Sequence, residues 1–262
     1  MNNLTTILKQ ELNLIGIALT FFSRIPCPIQ LDFSADKLSK ASRYFALIGW
    51  LLGALVAVIF YLFSFIFSAD ISLWLAMAFS LLLTGCFHED GLADMADGFG
   101  GGFSTEQKLN IMKDSRVGTY GASILIFALL GKFLLISELF ELSQVKVFIY
   151  IPIAYALSRG VSASLIFDMQ YQRQDLTSKA KPLANKQSKL DIVILAMSLM
   201  PLFWLLSTNQ LGLLLVALFI VRYLLKAFFN KQISGYTGDC LGAAQQLSEL
   251  LIYLLLIASL NV

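Results

Sequence analysis

Charge is scarce in this chain: Asp, Glu, Lys and Arg together make up 14% of its 262 residues, where soluble domains carry about a quarter. Water is therefore not its main solvent. The net charge of +2 comes with no long basic tract and no single-sign tail, which excludes a nucleic-acid binder. There is one histidine, His88, too few for a typical zinc site. The three cysteines, Cys27, Cys86 and Cys240, show no CxxC spacing and no histidine cluster, so they read as small apolar residues or free thiols. No small-residue cleavage site follows Phe21-Phe22-Ser23-Arg24, which argues against a signal peptide. With no internal repeat and no low-complexity linker, residues 1–262 are expected to form a single domain.

What the chain has in abundance is apolar sequence, 58% of residues at a mean hydropathy of +0.75. A helix needs about 20 residues to cross a bilayer core, and seven runs come near that length. They span Ala46 to Ser68, Ile71 to Phe87, Gly121 to Leu142, Val147 to Phe167, Leu190 to Ser207, Leu211 to Phe229, and Leu247 to Leu260. Leu12 to Phe22 is too short to cross and is expected to be an interfacial or re-entrant helix. The fold class is all-α, a polytopic transmembrane bundle of about seven spans.

Lysine and arginine are retained on the cytoplasmic side of membranes, and the connecting loops alternate accordingly. One side holds Arg24, Lys37, Lys40 and Arg43, then Lys108, Lys113 and Arg116, then Arg173, Lys179, Lys181, Lys186 and Lys189, and finally Lys231. The opposite side contributes only Lys146. The first side is read as cytoplasmic.

After the second run, on that side, comes Gly85-Cys86-Phe87-His88-Glu89-Asp90-Gly91-Leu92-Ala93-Asp94-Met95-Ala96-Asp97-Gly98-Phe99-Gly100-Gly101-Gly102. In a helix, Asp90, Asp94 and Asp97 fall at i, i+4 and i+7, on one face. Crowded carboxylates repel unless a cation sits among them, and oxygen-only donors favour Mg²⁺ or Mn²⁺. A solvated acidic face is the plainer alternative, and the helical spacing and the position at a membrane boundary weigh against it. Gly98 and the run Gly100-Gly101-Gly102 are expected to end the helix and to let backbone amides approach a phosphate. Further on, Lys113 and Arg116 offer charge-assisted contacts to phosphate, and Asp114 could complete a metal shell. His88 beside the carboxylates is a candidate proton acceptor. The stretch Gly235 to Gln246, with Thr237 and Asp239, could close the pocket from the far end of the chain. Lys132 and Arg159 lie inside predicted spans, where an ionisable group is functional by default or pairs with an acid.

The strings His88-Glu89-Asp90-Gly91-Leu92-Ala93-Asp94-Met95-Ala96-Asp97-Gly98-Phe99-Gly100-Gly101, Lys113-Asp114-Ser115-Arg116-Val117-Gly118-Thr119-Tyr120-Gly121 and Gly235-Tyr236-Thr237-Gly238-Asp239-Cys240-Leu241-Gly242-Ala243 closely resemble the cobalamin synthase family, the adenosylcobinamide-GDP ribazoletransferases. Phe22-Ser23-Arg24-Ile25-Pro26 and Arg43-Tyr44-Phe45 extend the resemblance over nearly the whole chain. The resemblance implies transfer of α-ribazole, or its 5′-phosphate, onto adenosylcobinamide-GDP with release of GMP and a requirement for Mg²⁺. The expected setting is a bacterial inner membrane with the active site on the cytoplasmic side. Expected partners are those two substrates and membrane lipid, and a homo-oligomer is compatible with the sequence. On this reading Asp90, Asp94, Asp97 and Asp114 hold the metal. Lys113 and Arg116 bind phosphate, the glycines with Thr237 and Asp239 shape the pocket, and His88, Asp97 or Asp114 serves the chemistry. Asp94-Met95-Ala96-Asp97-Gly98 also resembles the opening of the CDP-alcohol phosphotransferase motif, but the alanine-arginine pair and the later aspartates of that pattern are missing. A secondary transporter would place its polar groups near the midplane within inverted halves, a weaker match.

Overall fold

The computed structural model describes residues 2–172 and 187–260, with side chains from Thr5 onward. Arg173, Lys179, Lys181 and Lys186 of the basic loop, and the C-terminal Asn261 and Val262, lie outside the described residues. The described residues are helical: α1 (Asn2–Phe22), α2 (Ala35–Ala41), a 3₁₀ turn (Ser42–Tyr44), α3 (Phe45–Phe63), α4 (Ala69–Thr84), α5 (Phe87–Gly101), α6 (Thr105–Ile111), α7 (Thr119–Leu142), α8 (Val147–Leu165), α9 (Lys189–Ser198), α10 (Leu202–Leu205), α11 (Thr208–Ile233) and α12 (Gly238–Leu260).

α8 is the central helix, buried over almost its whole length. α3 lies against it through Phe45, Ile48, Leu52, Val56 and Phe60, spaced three and four residues apart. Small residues allow membrane helices to approach closely, and Gly49 does so here: a Cβ on it would stand 2.5 Å from the Tyr155 carbonyl oxygen of α8. On its other side α8 meets α12, which in turn packs on α5 and α7. The surface left facing outward is rich in large apolar side chains such as Trp74, Phe127, Trp204 and Phe219, as expected where lipid replaces water.

Among the described residues, five helices are long and apolar enough to cross a membrane, the first counted from Ala35 to Phe63, and the number is six if α4 and α5 make one bent span. The expectation of about seven spans is thus adjusted at two places. The run Ile71 to Phe87 ends early because Gly85 and Cys86 both adopt left-handed φ, +64° and +56°, and the chain restarts as α5 at an angle of 83° to α4. The run Leu190 to Ser207 is split into α9 and α10, with Pro201 at the start of the second piece. The ring removes a helical amide and disfavours helix in the residue before it. The N-terminal element is longer than expected, one helix from Asn2 to Phe22, which buries Leu14, Ile17, Ala18 and Phe22.

Candidate active site

The break after α4 aims α5 across the ends of the other helices. Arg24, just past α1, holds it there: its backbone N–H donates to the Leu83 carbonyl at 2.7 Å, and its guanidinium occupies the space where a side chain on Gly85 would go. Asp90, Asp94 and Asp97 all lie on α5, so the predicted spacing holds within one unbroken helix and the three share a face. Asp90 is exposed, Asp94 half-buried and Asp97 buried. They form a ridge, not a cage. Seven residues at 1.5 Å rise separate Asp90 from Asp97 by about 10 Å along the axis, and among the described residues no three His, Cys, Asp or Glu side chains converge as metal ligands. The set of four aspartates expected around one ion is therefore divided in space.

Asp97 caps another helix. Its Oδ2 accepts from Gly118 N–H at 2.7 Å and its Oδ1 from Gly121 N–H at 2.8 Å, so one carboxylate closes the N-terminus of α7, where free amides and the helix dipole favour a negative charge. The two glycines are matched to it: a Cβ on Gly118 would lie 2.6 Å from Asp97 Oδ1, and one on Gly121 would overlap Oδ2. Beside this cap is a cavity of about 310 Å³ lined by Asp97, Gly101, Asp114, Arg116, Thr119 and Tyr120, among others. Within it, Arg116 Nε donates to both oxygens of Asp114 at 3.0 Å. Those hydrogen bonds, with a further one from the Arg116 backbone amide, hold the Asp114 carboxyl down at about 2. Lys113 is exposed on the turn after α6.

The glycine run does end the helix, at its last member. α5 continues through Gly101 and stops at Gly102, which is extended. Gly98 and Gly100 are packing positions, since a Cβ on either would come 2.6 Å from the Met112 or Tyr120 side chain. Inside the helix the amides of Gly98, Gly100 and Gly101 serve its own ladder, so these residues shape the cavity wall.

The far end of the chain does arrive at α5. Thr237 caps α12, its Oγ1 accepting from Cys240 N–H at 3.3 Å, while its hydroxyl donates to Asp239 Oδ2 at 3.3 Å. A Cβ on Gly91 would stand 3.1 Å from the Asp239 Cα, and one on Gly242 would stand 3.1 Å from the His88 carbonyl oxygen. The contact of α5 with α12 is thus backbone to backbone, and it sets Asp239 next to the aspartate ridge.

His88 is not brought to that ridge. It lies roughly half a helical turn away from Asp90 and Asp97, 1% exposed, with its ring stacked on Phe45 at 5.8 Å. The same buried interior holds a polar belt that the sequence disclosed only in part. Lys132 Nζ pairs with Glu249 Oε1 at 3.1 Å, and Glu249 Oε2 accepts from Gln245 at 2.6 Å. Gln246 donates to Gln245 Oε1 at 3.0 Å and to Glu89 Oε1 at 2.9 Å. Arg159 donates to the Tyr155 carbonyl at 3.1 Å and lies over the Tyr155 ring. Both cations inside spans are therefore buried, and Lys132 is the one with an acid at salt-bridge distance. Glu249, Gln245 and Gln246 were missed as a group, although an acid within the run Leu247 to Leu260 is itself a signal.

The family described as cobalamin-5-phosphate synthase matches residues 14–257. An adenosylcobinamide-GDP ribazoletransferase of Vibrio parahaemolyticus is 50% identical over 251 residues, covering 96% of this chain and 94% of its own length. One from Vibrio cholerae is 49% identical over 259 residues, covering 98% of both. One from Shewanella amazonensis is 50% identical over 250 residues, covering 95% of this chain and 96% of its own. No solved structure matches. With matches of this extent, running through the aspartate ridge, the α7 cap and the start of α12, the chain belongs to the cobalamin-5-phosphate synthase family.

Proposed function

We propose that this chain transfers α-ribazole, or its 5′-phosphate, onto adenosylcobinamide-GDP with release of GMP, at the cytoplasmic face of a bacterial inner membrane. The observation that carries the reading is the ridge of Asp90 and Asp94 on α5, flanked by Asp239 and opening beside the cavity of Asp97, Asp114 and Arg116. Family membership supplies the reactants, and the positive loops support the cytoplasmic side.

The ridge suits Mg²⁺ in particular. That ion is held by one or two carboxylates with water and substrate phosphate completing its shell, in preference to an all-protein cage. Asp90 and Asp94, one turn apart, the first exposed and the second half-buried, would hold it, and it would supply neutralisation of phosphate charge. The protein's own groups do the rest. Arg116, kept in orientation by Asp114, presents its guanidinium to a phosphate, a geometry lysine cannot match. A ribose hydroxyl of the acceptor attacks the phosphorus attached to cobinamide. The new P–O bond forms as the bond to the GMP oxygen breaks, and the hydroxyl proton passes to a carboxylate on the α5 ridge. His88, packed under Phe45 on the opposite face, contributes to the fold of α5. Positioning and charge stabilisation account for most of phosphoryl-transfer catalysis, which fits a site built from helix ends and few reactive groups.

The test is to incubate purified protein in nanodiscs with adenosylcobinamide-GDP, α-ribazole and Mg²⁺ and to quantify GMP and the corrinoid product. Stoichiometric GMP and product, abolished by chelation of Mg²⁺, is the expected result. Absence of GMP with all reactants present would remove the reading.

A further inference from the structure

Next to the polar cavity lies a second space of different character. It is a groove of about 610 Å³ between α5, α7, α11 and α12, open toward the apolar outer surface, walled by Phe99, Tyr120, Ile124, Phe127, Phe228 and Leu247, among others. Tyr120 is common to both spaces, lining the groove and also the cavity of Asp97, Asp114 and Arg116. Its place is set by Gly100, where a Cβ would fall 2.6 Å from the ring. Another edge of the groove is polar, since Gln232 lines it and accepts from Lys108 Nζ at 2.6 Å through its Oε1.

We propose that this groove seats the flat, uncharged bicyclic base of the ribazole acceptor, with the ribose reaching past Tyr120 into the cavity where the phosphate is attacked. The inference rests on the function proposed above and adds the acceptor's subsite. Three observations select this occupant. Tyr120 is a wall of both spaces, so the groove lies directly beside the reaction cavity. Four of its lining side chains are aromatic, which suits stacking against a planar heterocycle. Its size falls within the range of small-molecule sites, and its apolar lining offers little to the other reactant, whose corrin amides, phosphates and guanine all require polar partners.

The experiment compares the wild type with Ala96→Trp, which fills the groove from α5, and Phe228→Ala, which removes its far wall on α11. Phe219→Ala, on the outward face of the same helix, is the control. Binding of α-ribazole to protein in nanodiscs is measured by equilibrium dialysis, and GMP release is followed against each substrate in turn. The expected result is at least a tenfold loss of α-ribazole affinity in both groove variants, with the KM for adenosylcobinamide-GDP within twofold and the control unchanged. Unaltered α-ribazole affinity in groove variants that retain the wild-type melting temperature would overturn the proposal. So would loss of co-purifying phospholipid without loss of α-ribazole affinity, which would make the groove a lipid seat. If Ala96→Trp does not fold, Phe228→Ala alone decides. Should the wild type bind α-ribazole yet release no GMP, the proposed reaction fails while the dialysis result still judges the subsite.

Discussion

α5 carries polar residues on two faces, and the two are governed by different physics. Its outer face carries Asp90, exposed, and Asp94, half-buried, at the solvent side of the helix. Its inner face sends Glu89 into a buried belt with Gln246, Gln245, Glu249 and Lys132, where an unmatched charge is costly, and packs His88 against Phe45. The same residue types thus do opposite work. On the ridge they stand at the solvent side of the helix, and in the belt they fix helix positions through buried hydrogen bonds.

The first way to break this comparison is to remove one member of the belt. Glu249→Leu leaves Lys132 buried without its acid, and stability should fall by about 3–5 kcal/mol, the range for breaking a buried pair. Replacing both partners, Lys132→Met with Glu249→Leu, should recover most of that loss, read as melting temperature in detergent. If the single and double variants melt alike, the belt is not held by this pair. A smaller effect is expected at the join between ridge and cavity. Gly121→Ala pushes a methyl into the Asp97 carboxylate and should cost about 1–3 kcal/mol, as overpacking does, with reduced GMP release because the cavity wall moves. Wild-type stability and rate in that variant would show that Asp97 has room to shift.

The smallest effect concerns pH. Asp114 is held at about 2, below its ordinary 3.8, by hydrogen bonds from Arg116. A depressed carboxyl contributes stability that is present above its unfolded value and is lost as the pH falls through the folded one. The Asp114–Arg116 contact should therefore be unaffected between pH 5 and pH 8. A step in activity in that window that vanishes in Asp114→Asn would contradict this.

The sequence was a good guide wherever one property decides the structure. Apolar runs placed most helices to within a few residues, because a bilayer selects on length and hydropathy alone. The spacing of Asp90, Asp94 and Asp97 placed them correctly on one face, because helical periodicity is local. What escaped depends on partners distant in sequence. The cap that Asp97 forms on α7 joins it to amides 21 and 24 residues away, and only after the fold is known do Gly118 and Gly121 read as the space it needs. The bend at Gly85-Cys86 was hidden because a cysteine, not a second glycine, takes the left-handed conformation. His88 seemed to belong with the aspartates because it is their neighbour in the chain, yet a helix turns neighbours in sequence toward different surroundings. Glu249 was absorbed into an apolar run, and its role emerges only from Lys132 on α7.

The central claim is that the solvent-facing aspartates of α5 are the reaction centre, and Asp94→Asn tests it most directly. In nanodiscs with Mg²⁺, adenosylcobinamide-GDP and α-ribazole, GMP release should fall by about 100-fold or more, equivalent to about 2.7 kcal/mol of lost transition-state stabilisation. Mn²⁺ binding followed by electron paramagnetic resonance should weaken in parallel, and the melting temperature should stay at the wild-type value. Full GMP release together with wild-type Mn²⁺ affinity in Asp94→Asn would contradict the account.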